Sequence, residues 1–451
     1  MSAGLRYAIA LAAGRMRPKR RPHPPVQPPQ PSQPGVSVIV PSRNGKDLLD
    51  ALLPGVTVDL AQIAGEIIVV DNGSDDGTAQ WLATRWPTVR VEHSPEPLSF
   101  ARAVNRGVAA ARFSHVCMLN NDMLVDRGFF GALGAAFDAV PDLFCATAQI
   151  RFPAGVRREE TGKAVMAHDN PADFPLRCDE PLPGEDMTWV LYGSGGCSVY
   201  DAAKLRALGG VDEIYEPAYV EDLDLGYRAW QKGWPSVYVA GAQVEHRHRA
   251  TTSRYYTAEQ LDTILEINYL TFLARAVAHP KLFRRLWKEA LQRLKLLAPA
   301  HASARAALAK APDIATSGGP SDTAIQSEQA FLDLTNGSVA VFRGHPPTGK
   351  PVTLVATPRL AGSNGRRAVP SFDQVVVAQV DRLEPPSPEI LAVCTEVVLV
   401  RRPPAGVESA AFATALRLST RRWRPREARL ESKSMQYYMA DCAPAKIISS
   451  R

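Results

Sequence analysis

Residues 66–78, EIIVVDNGSDDGT, decide how the chain is read. Ile67, Ile68, Val69 and Val70 form an unbroken β-branched run, without the alternation of a half-exposed strand, so the segment reads as a strand buried on both faces. It stops at Asp71 and Asn72, and Asp75 and Asp76 follow in the turn. The carboxyl ends of strands are where open α/β sheets bind ligands. Ser and Asp in such a turn also serve to cap the next helix, which accounts well for Ser74, Asp75 and Asp76 and poorly for Asp71.

The same texture repeats on both sides. VSVIV (36–40) is a second buried run, broken by PSRNG and followed by the helical pattern KDLLDALLPGV. Downstream come a helix (AQWLATRW), a short strand (VRVEHS), a helix (SFARAVNRGVAAA) and the strand HVCMLNN, which ends in Asn120, Asn121 and Asp122. Strands alternating with helices over short connections predict βαβ units and a parallel sheet. Polar clusters close at least three of these strands.

The chain has 451 residues, enough for two or three domains, and its 45% hydrophobic and 22% charged content is that of a soluble globular protein. The net charge of +6 is mild and argues against a nucleic-acid partner. Six cysteines without a CxxC pair argue against a disulfide framework or zinc site and suit a reducing cytoplasm. The apolar run at 5–13 is too short to span a bilayer, and its basic residues follow rather than precede it. Residues 1–34, proline-rich from 22, are therefore expected as a disordered or surface-associated tether. The long polar stretch at 150–190 reads as a functional or disordered loop. In 281–297, Leu282, Phe283, Leu286, Trp287, Leu291, Leu294 and Leu297 recur at helical spacing opposite a basic face. That pattern fits either an anionic membrane surface on the inner face of the plasma membrane or packing on the protein's own domain. Residues 299–348 read as a linker with one helix at most.

Three further segments carry chemistry. EDLDLGYRAW (221–230) begins a helix with Glu221, Asp222 and Asp224. Acids there suit the helix dipole, and Asp224 stands four before Arg228. Two adjacent acids before an apolar stripe also suit a positioned general base. In VEHRHRATTS (244–253), His246 and His248 share a strand face and His246 is a candidate metal ligand. YGSGGCSV (192–199) allows close backbone approach at Gly195 and Gly196 but matches neither a P-loop nor the dinucleotide fingerprint.

Taken in order, VSVIVPSRN, IIVVDNGSDDGT, SFARAVNRG, LNND, GGVDE and EDLDLGYR resemble the inverting family 2 glycosyltransferases, in particular the rhamnosyltransferase-like branch. The resemblance covers residues 35–275 and implies a GT-A nucleotide-diphospho-sugar transferase fold. It implies that Pro41, Asp71, Asn72, Asn120 and Asp122 hold the nucleotide sugar. Asp122, Asn120 and His246 would bind Mg2+ or Mn2+; Asn120 stands where most relatives have the first acid of an Asp-x-Asp. Asp222 takes the position of the base with Glu221 beside it, and Gly195 and Gly196 lie by a glycan or lipid-linked acceptor. A basic helical region and linker (276–348) would follow, and then 349–451 as a partial Rossmann-like α/β module. That last segment resembles the amino-terminal half of a GT-B glycosyltransferase, with a shortened glycine turn and no second half, and so a silent remnant. Two readings from other classes stand beside this one: a catalytically weak scaffold derived from such an enzyme, and a nucleotidyltransferase, which leaves EDLDLGYR without a role.

Overall fold

The computed structural model describes residues 2–18, 33–153, 162–166, 170–247, 254–320, 327–345, 352–354, 367–369, 375–392, 394–401 and 446–448. The chain runs through α1 (Ala3–Arg15), β1 (Gln33–Ser42), α2 (Lys46–Leu60), β2 (Gly65–Asn72), α3 (Thr78–Arg85), β3 (Arg90–Ser94), α4 (Phe100–Ala110) and β4 (Phe113–Leu119). It continues through β5 (Met123–Val125), α5 (Phe129–Ala139), β6 (Cys145–Arg151), β7 (Lys163–Val165), β8 (Arg177–Asp179), β9 (Thr188–Val190) and β10 (Cys197–Asp201). Then come α6 (Ala202–Ala207), α7 (Glu221–Gln231), β11 (Ser236–His246), α8 (Ala258–Ala276), α9 (Pro280–Leu297), α10 (Ala302–Thr316) and α11 (Glu328–Leu334).

Among the described residues, the main sheet has the order β3-β2-β1-β4-β10-β6-β11-β5, with β9 also pairing β11. The half β3-β2-β1-β4 is parallel, as the alternating pattern predicts. Its β-branched runs are buried on both faces: Val38, Val40, Ile67 and Val69 pack with Leu49, Leu52, Leu53 and Val56 of α2. Ile39, Ile68 and Val70 pack with Ala101, Val104 and Val108 of α4. The expected all-parallel sheet is corrected beyond β4, because β10 lies antiparallel between β4 and β6. β10 arrives from the Gly193–Gly196 turn rather than from a crossover helix, and an antiparallel neighbour needs no crossover.

The N-terminal expectation is corrected as well. Ala3–Arg15 is helical, with Ala10, Ala13 and Gly14 buried. It lies on α9, whose Leu282, Phe283, Leu286, Trp287, Leu291 and Leu294 are all buried. Trp287 Nε1 donates to the Ala10 carbonyl at 3.1 Å. A Cβ on Gly14 would stand 2.5 Å from that same nitrogen, so the small residue sets the helix spacing. Arg17 covers the Phe283 ring at 3.7 Å and donates to the Val277 carbonyl at 2.7 Å. The apolar face of 281–297 is thus spent on packing within the protein. No helix among the described residues is long and apolar enough to cross a membrane.

The span expected as linker holds α10, α11 and β12 (Val339–Arg343). Phe331 of α11 packs on Tyr227 and Trp230 of α7, with ring centroids 5.0 and 6.1 Å apart. Further along are β13 (Val352–Leu354), β14 (Arg367–Val369), β15 (Val375–Val380), α12 (Pro388–Leu391), β16 (Glu396–Arg401) and β17 (Lys446–Ile448). They give a second sheet, β12-β16-β15-β17, in which β15 is parallel to both neighbours. A buried ion pair, Lys163 to Glu185 at 2.8 Å, joins it to the first domain: Lys163 donates to the Val339 carbonyl and Glu185 accepts from the Val341 amide. The proline tether at 22–32, the turn RLAGSNGRRAV up to 366 and residues 402–445 lie outside the described residues.

Glu66 fastens the parallel half. Its buried carboxylate accepts from Ser37 Oγ on β1 (2.9 Å), Arg90 on β3 (2.7 Å) and Arg112 ahead of β4 (2.8 Å). Burial pushes its acid up, but the hydrogen bonds from Arg90 and Arg112 outweigh this and hold it below the usual value. The stability it contributes is therefore present above the ordinary carboxylate pKa and lost as pH falls through the depressed one. Glu66→Gln is expected to cost about 1–3 kcal/mol near neutrality, toward the lower figure because both arginines are solvent-screened. Urea titrations of both proteins at falling pH should show that gap closing.

Candidate active site

The carboxyl ends of β1 and β4, the start of α7 and the end of β11 surround a cavity of about 320 Å3, in the range of small-molecule sites. Pro41, Asn72, Asn120, Asp122, Gly195, Gly196, Glu221, Asp222 and His246 all line it. Residues up to 205 positions apart in sequence thus share one wall of space, and strand register explains how. β5 pairs antiparallel with β11 so that Met123 faces His246. Asp122 follows from that register: its Oδ1 lies 3.4 Å from His246 Nε2, and its carbonyl accepts from the Arg247 amide at 2.9 Å. Both side chains are buried, and Asp122 Oδ1 has no hydrogen-bond partner. Phe152 stacks on the His246 ring, 6.2 Å between centroids. His248 lies outside the described residues.

Gly195 and Gly196 bridge the two polar groups. The Gly195 amide donates to Asp222 Oδ2 at 3.3 Å, and the Asn120 amide donates to the Gly196 carbonyl at 2.8 Å. A Cβ on Gly196 would stand 2.5 Å from Asn120 Nδ2, so only glycine lets that side chain lie there.

The start of α7 is built under strain. Tyr219 and Val220 both have left-handed backbones, φ 73° and 79°, a conformation a β-branched residue adopts only when its surroundings dictate it. Asn268 of α8 supplies that constraint: its buried Nδ2 reaches the carbonyls of Tyr215, Ala218 and Tyr219 at 3.0, 2.9 and 3.1 Å. Asp222, in the first turn, accepts from the Leu223 amide at 2.8 Å with its other oxygen. Both oxygens of Asp222 thus meet backbone amides, which fixes the orientation of the carboxylate. Glu221 is nearly dry, and its Oε2 has no hydrogen-bond partner. Burial, reinforced by the neighbouring Asp222 carboxylate, pushes its acid from 4.5 up to about 8. Asp224 belongs to the scaffold, accepting from Arg228 Nε at 2.6 Å and Tyr215 OH at 3.0 Å.

Two expected ligand residues have partners of their own. Asp71 does not line the cavity; its carboxylate meets His93 Nδ1 at 3.0 Å and accepts from the Ser74 amide. Asn72 lines it while bracing the Leu98 backbone with both amide atoms, at 3.0 and 2.6 Å. Asp76 braces the turn before α3, accepting from the Thr78 amide at 3.0 Å.

Sequence reasoning missed Arg43, Tyr255 and Tyr256, which line the same cavity. Arg43 lies over the Tyr255 ring at 4.3 Å, and its Nε has no hydrogen-bond partner. Arg254 holds the segment to the end of β1, donating to the Asn44 carbonyl at 2.8 Å and pairing with Asp47 at 3.0 Å. PSRN following a buried strand was the signal for Arg43; nothing local marks the tyrosines.

Among the described residues, no group of three or more His, Cys, Asp or Glu side chains is placed to hold a metal. Asp122 and His246 make a pair, with the Asn120 amide in the same wall.

Residues 34–260 match the family described as glycosyltransferase like family 2, and the chain belongs to that family. Its α/β fold is accordingly GT-A-like, with the mixed sheet described above. The chain is 30% identical over 213 residues to N-acetylglucosaminyl-diphospho-decaprenol L-rhamnosyltransferase of Mycobacterium tuberculosis, an overlap of 42% of this chain and 68% of that protein. Among solved structures it is similar to GalNAc-T7 with UDP, GalNAc and Mn2+, at TM-score 0.43 and 15% identity, over 54% of this chain and 48% of that one. It is also similar to S. aureus TarS 1-349 in complex with UDP-GlcNAc, at TM-score 0.40 and 14% identity, over 57% of this chain and 72% of that one.

Because the acid of Glu221 is raised in the folded chain, the stability tied to its proton is complete below 4.5 and lost as pH rises through about 8. Glu221→Gln keeps the shape without the titration. Melting temperatures at about pH 6 and about pH 9 should therefore differ less for Glu221→Gln than for the parent protein.

Proposed function

We propose that the chain is an inverting, metal-dependent glycosyltransferase that moves a rhamnosyl group from dTDP-rhamnose to a hydroxyl of a lipid-linked glycan or surface polysaccharide precursor. The observation that carries this reading is the single cavity shared by Asp222 and the Asn120, Asp122 and His246 wall. The family and the L-rhamnosyltransferase activity of the mycobacterial relative support sugar transfer and a rhamnosyl group.

Asp222 serves as the general base. Its carboxylate is oriented by the Gly195 and Leu223 amides and takes the proton of the acceptor hydroxyl as that oxygen attacks the anomeric carbon. Glu221, protonated near neutrality, keeps the pair from presenting two negative charges to an anionic donor. Arg43, with an unpartnered Nε, contributes positive charge to the donor side of the cavity.

Asp122, His246 and Asn120 fit a divalent cation, Mg2+ or Mn2+. The buried Asp122 Oδ1 lacks a hydrogen-bond partner and the imidazole stands beside it, while donor phosphates complete such sites. When bound, the cation neutralises charge developing on the departing diphosphate. A cytoplasmic setting, where nucleotide sugars are made, suits this chemistry. Residues 349–451 read as a silent GT-B-like remnant, a reading supported by the parallel β17-β15-β16 strands.

Asp222→Asn should lower transfer by about 100- to 10,000-fold while nucleotide binding, followed by calorimetry, stays at the parent value. A chelator should abolish transfer and added Mn2+ should restore it. Transfer by Asp222→Asn at the parent rate rejects the base; chelator-resistant transfer rejects the metal.

A further inference from the structure

α1 carries apolar side chains on its outer face as well as on the face it buries. Ala10, Ala13 and Gly14 are buried against the bundle, while Leu5, Ile9 and Met16 are 53%, 41% and 69% exposed. On a helix of 100° per residue these three fall within about 40° of one another, with exposed Ala12 among them. Large apolar side chains gathered on one exposed stripe mark a surface that a partner covers.

The charge on the neighbouring helix identifies what covers it. Lys281, Arg284, Arg285, Lys288 and Lys295 are exposed on α9. Lys281, Arg284, Lys288 and Lys295 follow one another at helical spacing, forming a row. Lys295 Nζ stands 5.4 Å from the Tyr7 ring of α1, and the Trp287–Ala10 bond lies further along the same contact, so the row runs beside α1. Arg15 adds a further exposed cation, and the only acid in either helix is the half-buried Glu289. An exposed apolar stripe on one helix and a row of exposed cations on the helix packed against it are together complementary to an anionic lipid surface.

We propose that the outer face of α1 and the basic row of α9 together form a docking surface for an anionic bilayer. This differs from an amphipathic 281–297 inserting its own leucines, which lie inside the protein. It depends on neither the donor nor the metal, so it stands or falls apart from the transfer reading.

The test is cosedimentation of the full chain with vesicles of phosphatidylcholine alone and of equimolar phosphatidylcholine and phosphatidylglycerol. The parent protein should bind the anionic vesicles, bind neutral ones weakly, and be released by salt. Leu5→Glu/Ile9→Glu, on the uncovered face, and Lys281→Glu/Lys288→Glu, on the row, should each lower partitioning at least about tenfold with unchanged melting temperature. Should the first variant fail to fold, the charge variant and the salt response still decide. Failure of the parent to bind anionic vesicles overturns the proposal, as does parent-like binding by both variants. It is overturned equally if light scattering shows a dimer that Leu5→Glu/Ile9→Glu converts to monomer while no vesicle binding is seen, since the face then joins two copies of the chain.

Discussion

A buried carboxyl beside a second one is costly to ionise, and the chain puts the nearly dry Glu221 next to the half-buried Asp222. The rest of the site is arranged around this constraint. Desolvation falls on Glu221, whose Oε2 has no hydrogen-bond partner, so it keeps its proton. Asp222 receives the backbone amides. The arrangement holds only if α7 begins at one fixed point, and the left-handed Tyr219 and Val220 with the Asn268 clamp set that point. Separation of two acids by environment is how one site obtains unlike roles from like groups.

Much of this was legible in sequence, and the boundary has a physical cause. Buried strands announce themselves as β-branched runs because both faces are covered, so β1, β2 and β4 and their polar ends could be read directly. Turn bonds and i,i+4 pairs are local, so the roles of Asp76 and Asp224 could be read too. Contacts made by register or by distant packing leave no local trace. The Asp122–His246 pair depends on β5 lying against β11, and Asn268 acts from a helix about 50 residues beyond the loop it holds. Asp71 shows the converse: a strand-end acid in the expected place whose carboxylate is occupied by His93. β10, antiparallel amid parallel strands, was invisible because its direction is fixed by the turn before it.

The helical region shows what amphipathicity can and cannot say. The leucines and Trp287 of α9 correctly signal one buried face, but periodicity does not name the partner. The partner is α1, a segment whose composition reads as tether and whose small residues, Ala10 and Gly14, admit the indole. Covering α9 moves the exposed apolar surface one layer outward, onto α1. At the other side of the domain, the buried Lys163–Glu185 pair ties β12 to the first domain through backbone groups as well as charge. Breaking such a pair costs more than its formation stabilises, because one buried charge is left alone.

The central claim is a single displacement at the anomeric carbon, driven by a carboxylate base and requiring no enzyme nucleophile. Asp222 suits that chemistry by its amide-bound, half-buried geometry. The most direct measurement is the anomeric configuration of the first-formed product, read from one-bond carbon–proton couplings by NMR during turnover of dTDP-rhamnose. Direct displacement gives a product whose configuration is opposite to that of the donor. A product that retains the donor's configuration would contradict it.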